Sequence, residues 1–168
     1  TNPEPEYCSI ELVSGTDFNT NLEDDNTTVT EKSGALAKLL SFVHPAWTAA
    51  ISGAAWIWGD NPVQAPVIGA SQTFVRTFGW NGVVTDAKLY VAADNTYSTT
   101  LNGDAAGAET VDANNFATAD VYDVDGLIDQ GNNVLSINVV NTVGSEDPRG
   151  NPAGLLYKLV VTTEDNVD

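Results

Sequence analysis

Residues 84–103, VTDAKLYVAADNTYSTTLNG, constrain the fold more than any other stretch. Ala87, Leu89 and Val91 share one face of the first run, and Asp86, Lys88 and Tyr90 share the other. Side chains that alternate with a period of two belong to a half-buried β-strand. Asp94-Asn95 interrupts the pattern, and residues 97–101 resume it. Asn102-Gly103 then closes it, because both residues tolerate the positive φ of a type I′ hairpin turn. The unit reads as strand, tight turn, strand, tight turn.

Other segments extend this pattern. Residues 7–13 alternate Cys8, Ile10 and Leu12 against Ser9 and Glu11, and residues 14–26 are a polar, turn-rich loop. Residues 27–33 read as a strand with little burial; residues 35–43 fit either one or two helical turns or, for want of a helix cap, a strand feeding His44-Pro45. If residues 43–58 end in a strand, Trp56 and Trp58 fall on one side of it and Ile57 on the other. A loop over 59–71 precedes a strand over 72–78, with Phe74, Arg76 and Phe78 on one face. Residues 104–115 form a small-residue loop, 116–124 a short strand and 125–132 a single helical turn. Strong strands cover 133–141, with Leu135, Ile137 and Val139 inward, and 155–162, with Leu155, Tyr157, Leu159 and Val161 on one face. About eight to ten short strands, with turn signals between them and minimal helix, define an all-β antiparallel sandwich or barrel. Residues 1–6 read as a linker or extended tail, 7–162 as a single β-sandwich domain and 163–168 as an acidic tail.

Charge narrows the partners. The chain has 168 residues, enough for one core, and a formal net charge of -17 from 23 acids and 6 bases. Nucleic acid is disfavoured, since its affinity comes from Lys and Arg neutralising phosphate. Anionic membrane surfaces are disfavoured likewise. No apolar run approaches the roughly 20 residues that span a bilayer. The chain has no Met and starts at Thr1, which reads as a processed or trimmed product. Abundant Thr, Ser, Asn and Gly with little Lys suit an extracellular or cell-surface protein. Cys8 is the sole cysteine, so an internal disulfide is excluded, and a buried structural thiol is expected.

A series of motifs then comes in a known order. Trp56-Ile57-Trp58 is followed by Phe74-x-Arg76-Thr77-Phe78, by Ala87-x-Leu89-x-Val91-Ala92-Ala93-Asp94-Asn95 and by Leu101-Asn102-Gly103. Gly131-Asn132-Asn133-Val134-Leu135-x-Ile137 and Asn151-Pro152-Ala153-Gly154-Leu155 complete it. Over residues 43–161 this resembles the galactose-binding-domain-like jelly roll. That fold serves as an accessory module in glycoside hydrolases, rhamnosidases among them, and in exported bacterial surface proteins. The resemblance implies a jelly-roll sandwich. It leaves function open among sugar binding, structural calcium and packaging of other domains.

The residues themselves offer no catalytic apparatus. His44, the single histidine, has no paired nucleophile motif and reads as structural. Nucleophile-elbow, phosphate-loop and zinc spacings are missing from the sequence. Calcium is the plausible cofactor, on loop carboxylates and backbone carbonyls, with Asp94, Asp123 and Asp125 as candidate ligands beside Asp60 and Asp147. A sugar site needs an exposed aromatic platform and polar side chains reaching the hydroxyls. Trp80, in the turn Gly79-Trp80-Asn81-Gly82, is the first candidate, with Asn81 beside it and Trp47 and Tyr97 next. Trp56 and Trp58 read as core or rim. Arg76, flanked by inward Phe74 and Phe78, needs a carboxylate partner, and Asp94 is the first choice.

Two functions fit. One is a non-catalytic extracellular module that binds carbohydrate or adheres. The other is a structural subunit of a filament, pilus or surface layer, whose partners are copies of itself. In that case residues 7–13 would pair with a neighbour's sheet edge. The ordinary expectation is that this strand closes its own sandwich.

Overall fold

The computed structural model describes residues 6–17, 22–60, 68–142 and 151–165. Eleven strands follow in order: β1 (Glu6–Val13), β2 (Glu23–Val29), β3 (Ala35–Leu39), β4 (Ile57–Trp58), β5 (Ser71–Trp80), β6 (Val84–Asp94), β7 (Thr96–Leu101), β8 (Asp104–Glu109), β9 (Asp120–Asp123), β10 (Gly131–Val140) and β11 (Gly154–Asp165). Helix among the described residues is limited to the 3-10 turns Thr30–Lys32 and Asp125–Leu127. The strands hydrogen-bond in the order β8-β7-β10-β5-β2-β3-β4-β11-β6-β9, with β1 also against β11. The short β3–β4–β11 contacts link two antiparallel layers, which gives the expected all-β sandwich an almost barrel-like closure.

The alternation read from the sequence decides which side chains meet between the layers. Leu89 and Val91 of β6 and Leu155, Tyr157, Leu159 and Val161 of β11 come from one layer. Phe74 of β5, Tyr97 and Leu101 of β7, and Leu135, Ile137 and Val139 of β10 come from the other. Each is 0–1% exposed. Burial of this much apolar surface is the main stabilising term of such a domain.

The central unit folds differently from the expected tandem of tight turns. Strand β6 pairs with β11 and β9, whereas β7 pairs with β10 and β8. Asp94-Asn95 is therefore a crossing between layers rather than a hairpin turn. Its peptide bond is cis. Asn102-Gly103 is a hairpin turn, with φ of 54° and 88° and Leu101 facing Asp104. Strand β2 starts within the expected loop 14–26, and β8 lies in the expected loop 104–115. Strand β11 continues to Asp165, so residues 163–165 belong to the sheet rather than to a tail. Residues 1–5 and 166–168, and the loop carrying Asp147, lie outside the described residues.

Strand β1 pairs with β11 of its own chain along its whole length, from Glu6↔Asp165 to Val13↔Lys158. The ladder groups on its β11 side are thus used internally, the outcome expected of a self-closing sandwich. Cys8 is exposed, against the expectation of a buried thiol: it shares the face of Ile10 and Leu12 but lies near the open end of this edge strand, opposite Thr163, where the core no longer covers it.

Arg76 is buried and inward, as the alternation requires, but Asp94 is not its partner. Its Nη1 donates to the Val13 carbonyl at 2.9 Å, and the guanidinium lies beside the Tyr157 hydroxyl. Burial pushes the Tyr157 phenol above its usual range, while Arg76 pulls it down. Asp94 lies on the outer face of its own layer, which rules the pairing out geometrically. The buried carboxylate of this neighbourhood is Asp24, which accepts from the amides of Gly15, Asn26 and Thr27 at 2.7, 2.9 and 3.0 Å.

Candidate functional site

The outer face of β6 and β11 is crossed by a strap, residues 42–56. The strap is pinned at several points. Leu40 N donates to the Trp56 carbonyl at 3.0 Å, Ala55 N to Ser14 O at 2.9 Å and Ala49 N to Phe116 O at 3.0 Å. Its Trp47, Ala49, Ile51 and Trp56 pack on Ala92 and Leu156, which face each other across β6 and β11. This is a second apolar cluster, on the opposite side of the sheet from the main core. It separates Trp56 from Trp58, since Trp58 belongs to the inner core. The strand at Ile57–Trp58 is too short to hold the two indoles on one side, as a longer alternation would.

Trp47 is the keystone of the strap. Its ring lies 4.4 Å from that of Trp56, tilted by 31°. The pair rests on Gly154, where an added Cβ would come within 2.6 Å of Trp47 Cη2. Gly154 is the cross-strand partner of Asp94. Trp47 Nε1 reaches over to donate to Asp94 Oδ2 at 2.7 Å. Asp94 is 5% exposed, and burial pushes its carboxyl up to about 6, against the stabilising hydrogen bond from Trp47.

Beside this pair the surface sinks into a depression of about 240 Å³. His44, Ala46 and Trp47 line it from the strap, Asp94 and Asn95 from the layer crossing, Asn114 and Phe116 from the loop before β9, and Asn151 and Pro152 from the turn before β11. Asn95 ties these segments together. Its side chain donates to Ala113 O at 3.0 Å and accepts from Thr142 N at 2.9 Å. Asn115, in turn, donates to the Asn95 carbonyl at 2.8 Å. His44 Nδ1 accepts from Ala46 N at 3.1 Å, which holds its ring at the rim. The result is a preformed concave wall, with an indole and a phenyl ring beside a buried carboxylate and amides. Such surfaces hold small polar ligands that also have an apolar face.

Of the residues singled out in the sequence, the structure gathers Trp47 and Asp94 here and scatters the rest. Trp80 is not an exposed platform. Strand β5 runs past Gly79, so Trp80 takes the next inward position after Phe78 and is 6% exposed. Asn81 is exposed beyond it. Trp80 pairs with Gly131, whereas Val140, at the other end of β10, pairs with Thr96 beside the depression. Nine residues of strand separate them, about 30 Å at ~3.3 Å per residue.

Tyr97 is likewise buried, at 1% exposure. Its hydroxyl donates to Asp120 Oδ2 at 2.5 Å and lies 2.7 Å from the Tyr122 hydroxyl, so it closes the gap between β7 and β9. Burial, with these two neighbours, drives its phenol far above the usual range.

The three candidate calcium ligands do not converge. Asp123 faces Lys88 across the β6–β9 ladder and accepts from its Nζ at 2.5 Å. Lys88 precedes Asp94 by six positions on β6, about 20 Å at ~3.3 Å per residue. Asp125 is exposed on the 3-10 turn that follows β9. Among the described residues, no three His, Cys, Asp or Glu side chains group to hold a metal. Asn95, Asn151 and Phe116 are site residues that sequence reasoning missed. Only the Asp94-Asn95 and Asn151-Pro152 breaks in alternation hinted at them.

Comparison with known proteins bears on the fold. The chain is 32% identical over 119 residues to an α-L-rhamnosidase of Streptomyces avermitilis, a match that takes in 67% of this chain and 11% of the enzyme. The crystal structure of S. avermitilis α-L-rhamnosidase complexed with L-rhamnose superposes with a TM-score of 0.55 at 27% identity, over 75% of this chain and 13% of the enzyme. The α-L-rhamnosidase of Aspergillus terreus gives 0.53 at 22% identity, over 70% and 16%, a likeness of fold. The chain thus spans little more than a tenth of these relatives. No protein-family model matches it. In sequence and in fold, the chain is similar to one β-sandwich portion of the α-L-rhamnosidases, the accessory-module resemblance that its motifs predicted.

Proposed function

We propose that the chain is a non-catalytic carbohydrate-binding module, and that its sugar site is the depression beside Trp47 and Asp94. The observation that carries this reading is the buried Asp94 carboxylate, held by the Trp47 indole on the wall of a preformed concavity. Sugar hydroxyls donate well to a carboxylate in a low-dielectric setting. Phe116 and Pro152 supply apolar surface for the C–H face of a ring. A volume of about 240 Å³ suits one monosaccharide unit rather than a long chain segment. Similarity to a small portion of rhamnosidases supports an accessory role and makes L-rhamnose the first ligand to try. The acidic, Lys-poor composition supports an extracellular or cell-surface setting.

A calcium ion, if the module uses one, belongs at Asp94. Asn95 and Asn151 line the same depression, and calcium takes side-chain amide oxygens alongside carboxylates. Isothermal titration with L-rhamnose tests the site. Saturable binding is expected for the native chain, with at least tenfold loss in Trp47→Ala and Asp94→Asn. Equal binding by both variants overturns the assignment. A chelator should lower both the affinity and the melting temperature if calcium takes part, since a ligand held by the native state alone stabilises it.

A further inference from the structure

A second depression, of about 430 Å³, lies on the other flank of the strap. Ile51 and Ser52 line it from the strap, Tyr90 from β6, Glu11 from β1, and Lys158 and Val160 from β11. Tyr90 and Asp94 share the outer face of β6, about 13 Å apart at ~3.3 Å per residue. Between them Ala92 is fully buried beneath the strap, so the two depressions are separate.

The second groove combines an aromatic wall with an ion pair. Tyr90 is half-buried, with one side packed on the strap cluster, and it offers an aromatic wall extended by Ile51 and Val160. Lys158 is held in place by Glu11 Oε2 at 2.9 Å and by the Ser52 carbonyl at 3.4 Å. The pair leaves an ammonium donor and a carboxylate acceptor fixed beside the aromatic wall. A pyranose matches both features, with a C–H face for the ring and hydroxyls that donate and accept. The net charge of -17 opposes an anionic glycan.

We propose that this groove is a second subsite for neutral glycan. It rests on the reading of the chain as a carbohydrate-binding module, but it uses none of the residues of the first site. A polymer held at both points gains affinity through effective concentration, with no new contact needed.

Amide chemical shifts of the native chain test the proposal. With L-rhamnose, or with rhamnan (a neutral L-rhamnose polymer), the Ser52 and Val160 amides should shift, and they should still shift in Asp94→Asn. Tyr90→Ala should abolish those shifts, weaken rhamnan binding by at least about tenfold, and leave the response of the Asn95 amide to L-rhamnose intact. Unmoved Ser52 and Val160 amides with both probes overturn the second subsite, whatever the first site does. If these amides respond and Asn95 does not, the assignment of the first site fails and this one stands. The native spectrum decides the matter even if Tyr90→Ala does not fold.

Discussion

The inner core and the strap cluster use similar side chains but arise in different ways. Leu89, Leu135 and Leu159 sit between the layers at 0–1% exposure, and strand periodicity alone puts them there. Trp47, Ala49, Ile51 and Trp56 remain 6–9% exposed on the outside of a sheet, and they come from a segment with almost no regular structure. The inner core stabilises the fold. The strap cluster leaves aromatic edges beside buried polar groups, and both depressions flank it. The main core and the two candidate sites thus occupy opposite faces of one sheet.

Substitutions on each face should break that division in different ways. The largest effect is expected at Leu159, 0% exposed in the middle of β11. Leu159→Ala should cost about 2–5 kcal/mol and lower the denaturation midpoint of the whole domain. A loss confined to the strap, read by the near-ultraviolet signal of the indoles, would contradict the inner core's role.

Gly154→Ala should act second. Its new Cβ has no room against Trp47 and Trp56, and displacing packed rings costs roughly 1–3 kcal/mol. The Trp47–Trp56 exciton signal and L-rhamnose binding should be lost while the far-ultraviolet strand spectrum persists. Unchanged binding would show that the indole pair does not form the wall.

Asp94→Asn should have the smallest effect, and the opposite sign. Burial holds the native carboxyl at about 6, above its ordinary 3.8. The protonated form is therefore favoured in the folded state. Its stabilising contribution is complete below 3.8 and is lost as the pH rises to about 6. An amide undergoes no such loss, and its oxygen can still accept from Trp47. The variant should match the native melting temperature near pH 4 and exceed it by about 2–4 °C at pH 7, the shift produced by ~1 kcal/mol in a domain of this length. A native protein that melts higher at pH 7 would mean that Asp94 has a compensating positive partner.

The residues explain why one face was legible in the sequence and the other was not. Strands β10 and β11 carry apolar residues at every second position, so Leu135, Ile137, Leu155 and Tyr157 were placed inward correctly. Gly79 looked like a strand end, and reading it so turned Trp80 outward; the ladder continues through it. Strand β8, DAAGAE, has small residues where strand formers are usual, and Gly107 is required there because Tyr122 packs on it. The first depression joins four segments, at residues 44–47, 94–95, 113–116 and 151–152. Their convergence comes from the layer crossing and the strap, and neither has a period to read. Trp47 and Asp94 were singled out for separate reasons, and the bond that joins them spans 47 positions and leaves no local trace.

The antiparallel register of β1 on β11 has a mechanical consequence. Glu6 and Asp165 face each other at one end of that ladder, and Val13 and Lys158 at the other. Tension applied through these two strands loads the rung at Glu6–Asp165 alone, and the next only after it parts. The seam opens like a zipper instead of resisting in shear, so the module should yield at low force and peel β1 away first, lifting Ile10 and Leu12 off the edge of the inner core.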